Sequence, residues 1–226
     1  MNELVIVRHG QSYSNVTGVL AGPGCRGLTA DGRAAARAVA DRMTSQGRVQ
    51  SFVCSPTRRA KETAEIISAR TQFPVVEMAA LRVADPGLNE GMTRQQWRAT
   101  DAVERQRRGS ESWCSYLTRS SACLADLLSS CRGRTLVVGH TETVIAAFSL
   151  LLGATDLGRL GISVDYTAVT SFREFDGKWQ LVGYNDVSHL PPGIARYPGA
   201  LSPLSSSGYR GVGGHDPFGH PKQRGQ

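Results

Sequence analysis

Two short apolar runs, far apart in the chain, each end directly before a polar cluster that contains a histidine. Leu4–Val7 precedes an arginine and His9, and Thr135–Val138 precedes a glycine and His140. Apolar runs of this length are typical of buried strands. The carboxyl ends of parallel strands meet at one edge of a sheet, where ligands bind. The sequence therefore predicts that His9 and His140 lie together at one edge of a buried sheet.

Strands and helices alternate along most of the chain. This alternation favours a three-layer α/β/α sandwich with a mostly parallel central sheet. The last two strands flank Asp176-Gly177, a dipeptide typical of a tight hairpin. The strands are predicted at Leu4–Val7, Ser51–Cys54, Val75–Glu77, Thr135–Val138, Thr167–Phe172 and Trp179–Tyr184. The helices are predicted at Thr29–Met43 with Thr29 as its N-cap, at Arg58–Thr71, at Trp113–Ser130 and at Glu142–Leu152.

The composition changes near residue 190. Residues 191–226 contain six prolines, eight glycines and three consecutive serines, with no helix or strand periodicity. A segment of this kind buries too little apolar surface to fix its backbone. We therefore predict one domain over residues 1–190, followed by a flexible Pro/Gly/Ser-rich tail over residues 191–226.

The bulk properties exclude several classes of protein. No apolar run reaches the roughly 18 residues of a membrane span, and the first residues do not form a signal peptide, so no membrane partner is expected. The five cysteines are an odd number without a C-x-x-C pair, which favours reduced thiols in the cytoplasm over a disulfide framework. The net charge is +7, but the arginines form no aromatic-interleaved stripe, so nucleic acid is not expected as a partner.

Five short motifs follow one another in the order of a known family. They are Arg8-His9-Gly10-Gln11-Ser12, Leu28-Thr29-x-x-Gly32, Ser55-Pro56-x-x-Arg59-Ala60-x-x-Thr63-Ala64, Gly139-His140-Thr141 and Asn185-Asp186-x-x-His189-Leu190. On these motifs the chain resembles the histidine phosphatase superfamily, in the branch that includes the cofactor-dependent phosphoglycerate mutases. The resemblance covers residues 4–190 and implies a phosphoglycerate mutase-like fold.

The resemblance implies a reaction through a phosphorylated histidine. His9 would be the nucleophile, neutral at the attacking nitrogen, with its other ring nitrogen donating to a carbonyl. Arg8, Arg59 and His140 would surround the phosphoryl oxygens, since phosphoryl transfer depends on positioning and charge stabilisation. No metal and no other cofactor is implied, and His189 is expected to be structural. The further candidate substrate-binding residues are Gln11, Asn15 and Thr141.

The proton donor is the point at which the chain departs from the family pattern. The family supplies one carboxyl group between the two halves of the phosphate site. One alignment of the segment Asp85–Gly91 places Val83 at that position, and valine cannot transfer a proton. The other alignment, to a D-P-x-L-x-E form, makes Glu90 the acid, with Asp85 as the alternative. We predict Glu90 as the general acid, a role typically worth about 10² to 10⁴ in rate.

The predicted function is hydrolysis of a small phosphorylated substrate, a phosphate monoester, by a metal-independent histidine phosphatase. One alternative is a phosphoglycerate mutase, although only Leu88-Asn89-Glu90 matches the L-N-E-R-H-Y-G segment of such mutases. A second alternative is a non-catalytic module that binds a phosphorylated ligand or partner. Val83 favours that alternative if it marks a lost proton donor.

Overall fold

The computed structural model describes residues 2–154 and 162–194, and its central element is a six-stranded sheet. The strands run β3-β2-β4-β1-β5-β6 across the sheet. The first four are parallel to one another, and β5 is antiparallel to both of its neighbours, β1 and β6. The strands are β1 (Glu3–Arg8), β2 (Ser51–Cys54), β3 (Val76–Glu77), β4 (Arg134–Gly139), β5 (Val169–Phe175) and β6 (Lys178–Asp186).

Seven α-helices and two short 3₁₀ turns connect these strands within the described residues. The helices are α1 (Tyr13–Thr17), α2 (Ala30–Ser45), α3 (Arg58–Thr71), α4 (Arg94–Ala99), α5 (Ala102–Arg107), α6 (Trp113–Ser130) and α7 (Thr141–Leu152). The 3₁₀ turns are Ala79–Leu81 and Gly87–Asn89. None of the helices in the described ranges is long and apolar enough to cross a membrane.

Successive residues of β1 point into two different helix layers. Val5 and Val7 pack in the cluster that contains the buried faces of α2 and α3. Leu4 and Ile6 pack in the cluster that contains those of α6 and α7. Because both faces of the strand are covered, both of its residue sets are apolar and the run is continuous rather than alternating. The predicted three-layer sandwich is confirmed.

The predicted elements differ from the observed ones mainly at their ends. The predicted bounds of β2, α3 and α6 match, Thr29 is the N-cap of α2, and α7 begins one residue earlier than predicted because His140 is its N-cap. The short helices α4 and α5 were not predicted. They contain no buried residue, so they leave no apolar periodicity in the sequence. Most of the predicted tail, residues 195–226, lies outside the described residues, and the division at residue 190 stays a prediction.

Candidate active site

The sheet brings the two histidines to the same edge. Arg8 lies opposite Gly139 in the parallel pair of β1 and β4, and the backbone N–H of His9 donates to the carbonyl of Gly139 at 2.9 Å. His9 and His140 therefore leave neighbouring strands at the same level. Their ring centroids are 5.2 Å apart at an interplanar angle of 62°, and their exposed fractions are 3% and 1%. The two histidines therefore lie together at one edge of the sheet, as the sequence predicts.

The hydrogen bonds of His9 define its tautomer. Nδ1 lies 2.7 Å from the carbonyl oxygen of Gly10 and donates to it, and Nε2 accepts from Nε of Arg59 at 3.1 Å. Nε2 therefore carries a lone pair. Burial lowers the pKa of His9 well below its usual value, and the charges of Arg59 and Arg8 lower it further. The ring is neutral at pH 7, and Nε2 is the nitrogen able to act as a nucleophile.

Two buried guanidinium groups flank this imidazole. Arg8, at the end of β1, donates from Nη1 to the carbonyl of Val164 and lies over the ring of Tyr166, 4.6 Å from its centroid. Arg59, in the first turn of α3, donates from Nη1 to the carbonyl of Ala21 at 2.9 Å. Both arginines are at most 6% exposed. Fixed cations in a site shielded from water suit a phosphate dianion, because their attraction is screened little there.

His140 has one ring nitrogen bound and one without a partner. Nε2 lies 2.9 Å from Oγ of Ser55 and 3.2 Å from Oγ1 of Thr57. Nδ1 is buried and has no hydrogen-bond partner among the described residues. Burial, followed by the charge of Arg59, lowers the pKa of His140 well below its usual value. When a hydroxyl donates to Nε2, the proton of the neutral ring resides on Nδ1, which is then a donor for a phosphoryl oxygen.

A cavity of about 520 Å³ opens over these groups. Two of the three predicted substrate-binding residues line it, Asn15 and Thr141. Oδ1 of Asn15 accepts from the backbone N–H of Ser12 at 3.0 Å and from its hydroxyl at 2.8 Å. The amide NH₂ of Asn15 is thereby left as the donor for an anion. Thr141 opens α7, and backbone N–H groups in a first helical turn favour negative charge.

Gln11, the third predicted substrate-binding residue, does not line this cavity. Its side-chain Oε1 accepts from the hydroxyl of Thr29 at 2.8 Å, and its backbone carbonyl accepts from the N–H of Thr29 at 2.9 Å. Thr29 is the N-cap of α2. Gln11 therefore anchors the start of a helix in this structure, and its contact with a substrate stays a prediction.

Glu90, the predicted proton donor, does not line the cavity either. Its Oε1 accepts from the backbone N–H of Gly22 at 2.6 Å and of Gly24 at 2.9 Å. The alternative, Asp85, accepts from the backbone N–H of Gly87 at 2.8 Å and also lies outside the lining. Val83 does line the cavity. The structure thus brings together Arg8, His9, Arg59 and His140, but neither of the two predicted carboxylates.

The structure adds residues that the sequence motifs did not single out. Glu142, two positions after His140, lies on the cavity wall, as do the exposed Arg94 and Arg98 on the outer side. The signal for Glu142 was its place beside the second histidine motif. The arginines carried no such signal, since both lie on the short helix α4, which has no buried residue and no apolar periodicity.

Among the residues that the structure describes, the other histidines and acidic residues do not form a second centre. His189 lies outside the cavity, with Nε2 3.2 Å from the hydroxyl of Thr167 and Nδ1 3.4 Å from Nη1 of Arg42. Within residues 2–154 and 162–194, no three His, Cys, Asp or Glu side chains gather as metal ligands would.

The chain belongs to the histidine phosphatase superfamily (branch 1), whose family model matches residues 4–187. Phosphoglycerate mutase-like protein 4 of Arabidopsis thaliana is 30% identical over 201 residues, which cover 83% of this chain and 86% of that protein. The metal-independent phosphoserine phosphatase of Arabidopsis thaliana is 28% identical over 207 residues, 84% of each chain. The solved structure of YhfR from Bacillus stearothermophilus has a TM-score of 0.73 at 23% identity, and the match covers 84% of this chain and 99% of that one. The predicted family, fold and phosphatase class are confirmed.

Proposed function

We propose that the protein hydrolyses a small-molecule phosphate monoester through a phosphohistidine formed at Nε2 of His9. The observation that carries this proposal is the buried His9, whose Nδ1 donates to a carbonyl and whose Nε2 therefore carries a lone pair, which accepts from Arg59. In the first step the bond from Nε2 to phosphorus forms as the ester P–O bond breaks. Water then attacks phosphorus, the P–N bond breaks, and phosphate leaves.

The surrounding groups stabilise the charge that the transferred phosphoryl group carries. Arg59 donates to Nε2 of His9, so this donor turns to a phosphoryl oxygen once phosphorus occupies that position. Arg8 and Nδ1–H of His140 supply further donors, and Asn15 adds an amide. Apart from this turn of the Arg59 donor, Arg8 and His140 are already held by Val164 and Ser55, so little further reorganisation accompanies the transfer.

The part of the cavity wall formed by α4 favours a substrate with a second negative charge. Arg94 and Arg98 both line the cavity, beyond the two arginines that the phosphoryl group itself requires. A carboxylate on the alcohol part of the substrate is a suitable partner for such a guanidinium. One relative is named as a phosphoserine phosphatase, and serine, the alcohol part of phosphoserine, carries such a carboxylate. All five cysteines are unpaired, and on that basis we place the reaction in the cytoplasm.

The test is phosphate release from p-nitrophenyl phosphate by the full chain and by His9→Ala, with trapping of the phosphoenzyme. We expect His9→Ala to abolish both the activity and an acid-labile, base-stable phosphorylated species. His189→Gln is the matched control, because His189 is another partly buried histidine but lies outside the cavity. Activity that survives in His9→Ala would refute the proposal.

A mutase is distinguished by the same protein incubated with 3-phosphoglycerate and 2,3-bisphosphoglycerate. Relatives that are named as phosphoglycerate mutase-like make this the second candidate. A phosphatase releases inorganic phosphate faster than it isomerises these substrates. The opposite ratio would assign mutase activity.

A further inference from the structure

A single carboxylate lies on the wall of the His9 cavity among the residues that the structure describes. It belongs to Glu142. Phosphoryl transfer to His9 from an alkyl ester needs a proton for the leaving oxygen, and the later attack by water needs a base. A carboxyl group on the cavity wall is the natural source of both.

The backbone that carries Glu142 is fixed relative to His140. The backbone N–H of His140 donates to Oγ1 of Thr143 at 3.0 Å, and the N–H of Thr143 donates to the carbonyl of His140 at 3.1 Å. Glu142 is the second residue of α7 and is partly buried. The side chain of Glu142 lines the cavity from this fixed position.

Glu142 also stands where two cavities meet. A second cavity of about 210 Å³ shares Glu142, Val83 and Trp97 with the first. When the phosphoryl group lies at His9, the alcohol part of the substrate extends away from it, and the shared wall is the passage between the two spaces. Glu142 is one of the residues that line this passage. Val83, on the same shared wall, has no proton to offer.

The other acidic side chains of this region are engaged elsewhere. Glu90 holds the backbone of Gly22 and Gly24, and Asp85 holds that of Gly87. Glu111, which lines only the second cavity, forms a bidentate pair with Arg119, with both N–O distances 2.6 Å. Their transfer to the His9 cavity would break these bonds.

We propose that Glu142 is the general acid and general base of the reaction, an inference that rests on the proposed phosphatase function. In the first step, the protonated carboxyl group of Glu142 gives its proton to the ester oxygen as the P–O bond breaks. A neutral alcohol leaves, and Glu142 becomes a carboxylate. In the second step this carboxylate takes a proton from water as the water oxygen attacks phosphorus. The P–N bond breaks, inorganic phosphate forms, and both Glu142 and neutral His9 are regenerated.

The experiment compares kcat/KM of Glu142→Gln on two substrates. Ethyl phosphate has a poor leaving group that needs a proton, whereas p-nitrophenolate leaves without one. We expect a loss of about 10² to 10⁴ on ethyl phosphate and less than about fivefold on p-nitrophenyl phosphate. Because kcat/KM covers only the steps up to the phosphoenzyme, the missing base does not affect it. The missing base should instead produce a burst of p-nitrophenol followed by slow turnover.

Glu90→Gln is the matched control for the ratio between the two substrates, which it should leave unchanged. Equal losses of Glu142→Gln on both substrates, or no loss on either, would overturn the assignment of Glu142. If His9→Ala instead keeps the wild-type activity on p-nitrophenyl phosphate, the proposed function itself is overturned. The thermal midpoint of Glu142→Gln checks the fold, since a glutamine in the first turn of a helix costs at most about 1 kcal/mol.

Discussion

Replacing Glu90 by alanine should weaken the phosphate site by moving a loop rather than by removing a proton donor. Oε1 of Glu90 accepts two backbone hydrogen bonds, from Gly22 at 2.6 Å and from Gly24 at 2.9 Å. The neighbouring carbonyl of Ala21 accepts from Nη1 of Arg59 at 2.9 Å. Glu90 therefore acts on the phosphate through the loop and Arg59, and it is a positioning residue.

The size of the effect follows from these two hydrogen bonds. A net contribution of about 0.5–1.5 kcal/mol for each gives about 1–3 kcal/mol for the pair. The lower part of this range applies, since the side chain of Glu90 is exposed. A free energy of 1.4 kcal/mol corresponds to a factor of about ten. We expect Glu90→Ala to lower kcat/KM by about 5- to 30-fold, mainly through KM, because Arg59 binds the phosphate of every substrate.

The assay measures kcat and KM of Glu90→Ala and Glu90→Gln on ethyl phosphate and on p-nitrophenyl phosphate. The alanine variant should lose equally on both substrates. The glutamine variant keeps an oxygen that accepts from both glycines, and it should stay within about threefold of the wild type. A loss of 100-fold or more by Glu90→Gln on ethyl phosphate, with p-nitrophenyl phosphate unaffected, would refute this reasoning and restore Glu90 as the proton donor.

Three further outcomes are expected. Burial lowers the pKa of His189 to about 4, so the stability that its neutral form contributes is present above about pH 6.5 and is lost as the pH falls towards 4. Between pH 7 and pH 5 the free energy of unfolding, measured with urea, should fall by about 1 kcal/mol more for the wild type than for His189→Gln, a figure that allows for solvent screening at this partly exposed site. Equal decreases for the two proteins would contradict this prediction. Ser55→Ala removes the hydroxyl 2.9 Å from Nε2 of His140 and should lower kcat/KM on p-nitrophenyl phosphate about tenfold, while the thermal midpoint falls by only about 2–4 °C for the lost buried hydrogen bond; full activity would show that this hydroxyl does not orient the ring. Arg98→Ala should raise KM about fivefold for phosphoserine and leave KM for ethyl phosphate unchanged, the effect of one exposed ion pair; a similar rise for both substrates would exclude a carboxylate contact.

The part of the site that lies on the sheet could be predicted from the sequence. The apolar runs before His9 and His140 indicate buried strands, and the edge at which parallel strands end is a general property of such sheets. The register of β1 and β4 then places the two histidines side by side. This inference needs only local pattern and topology, because the buried core determines where the strand ends lie.

The part of the site that lies on loops could not be predicted in the same way. Glu90 matches a family pattern in the sequence, yet its carboxylate binds backbone groups more than 60 residues earlier in the chain. No local pattern specifies such a partner. Glu142 lies in a helix that was predicted, but the sequence does not show which side of the first helical turn faces the cavity. The carboxylate that the motif indicates and the carboxylate that lines the cavity are therefore different residues.

This division assigns different constraints to the two halves of the site. Arg8 ends and His9 follows a strand whose residues are buried on both faces, so a substitution that shifts them must also disturb the core, at a cost of several kcal/mol. Arg94, Trp97 and Arg98 lie on the helix α4, which contains no buried residue, and substitutions there disturb little packing. Changes in substrate can therefore accumulate on the outer wall while the nucleophile and its cations stay in place. Glu142 belongs to the first half by its backbone, at the start of α7, and to the second half by its position at the passage. The protonation of the leaving group therefore depends both on the sheet, which fixes His9 and the start of α7, and on the wall formed by α4, which contacts the alcohol part of the substrate.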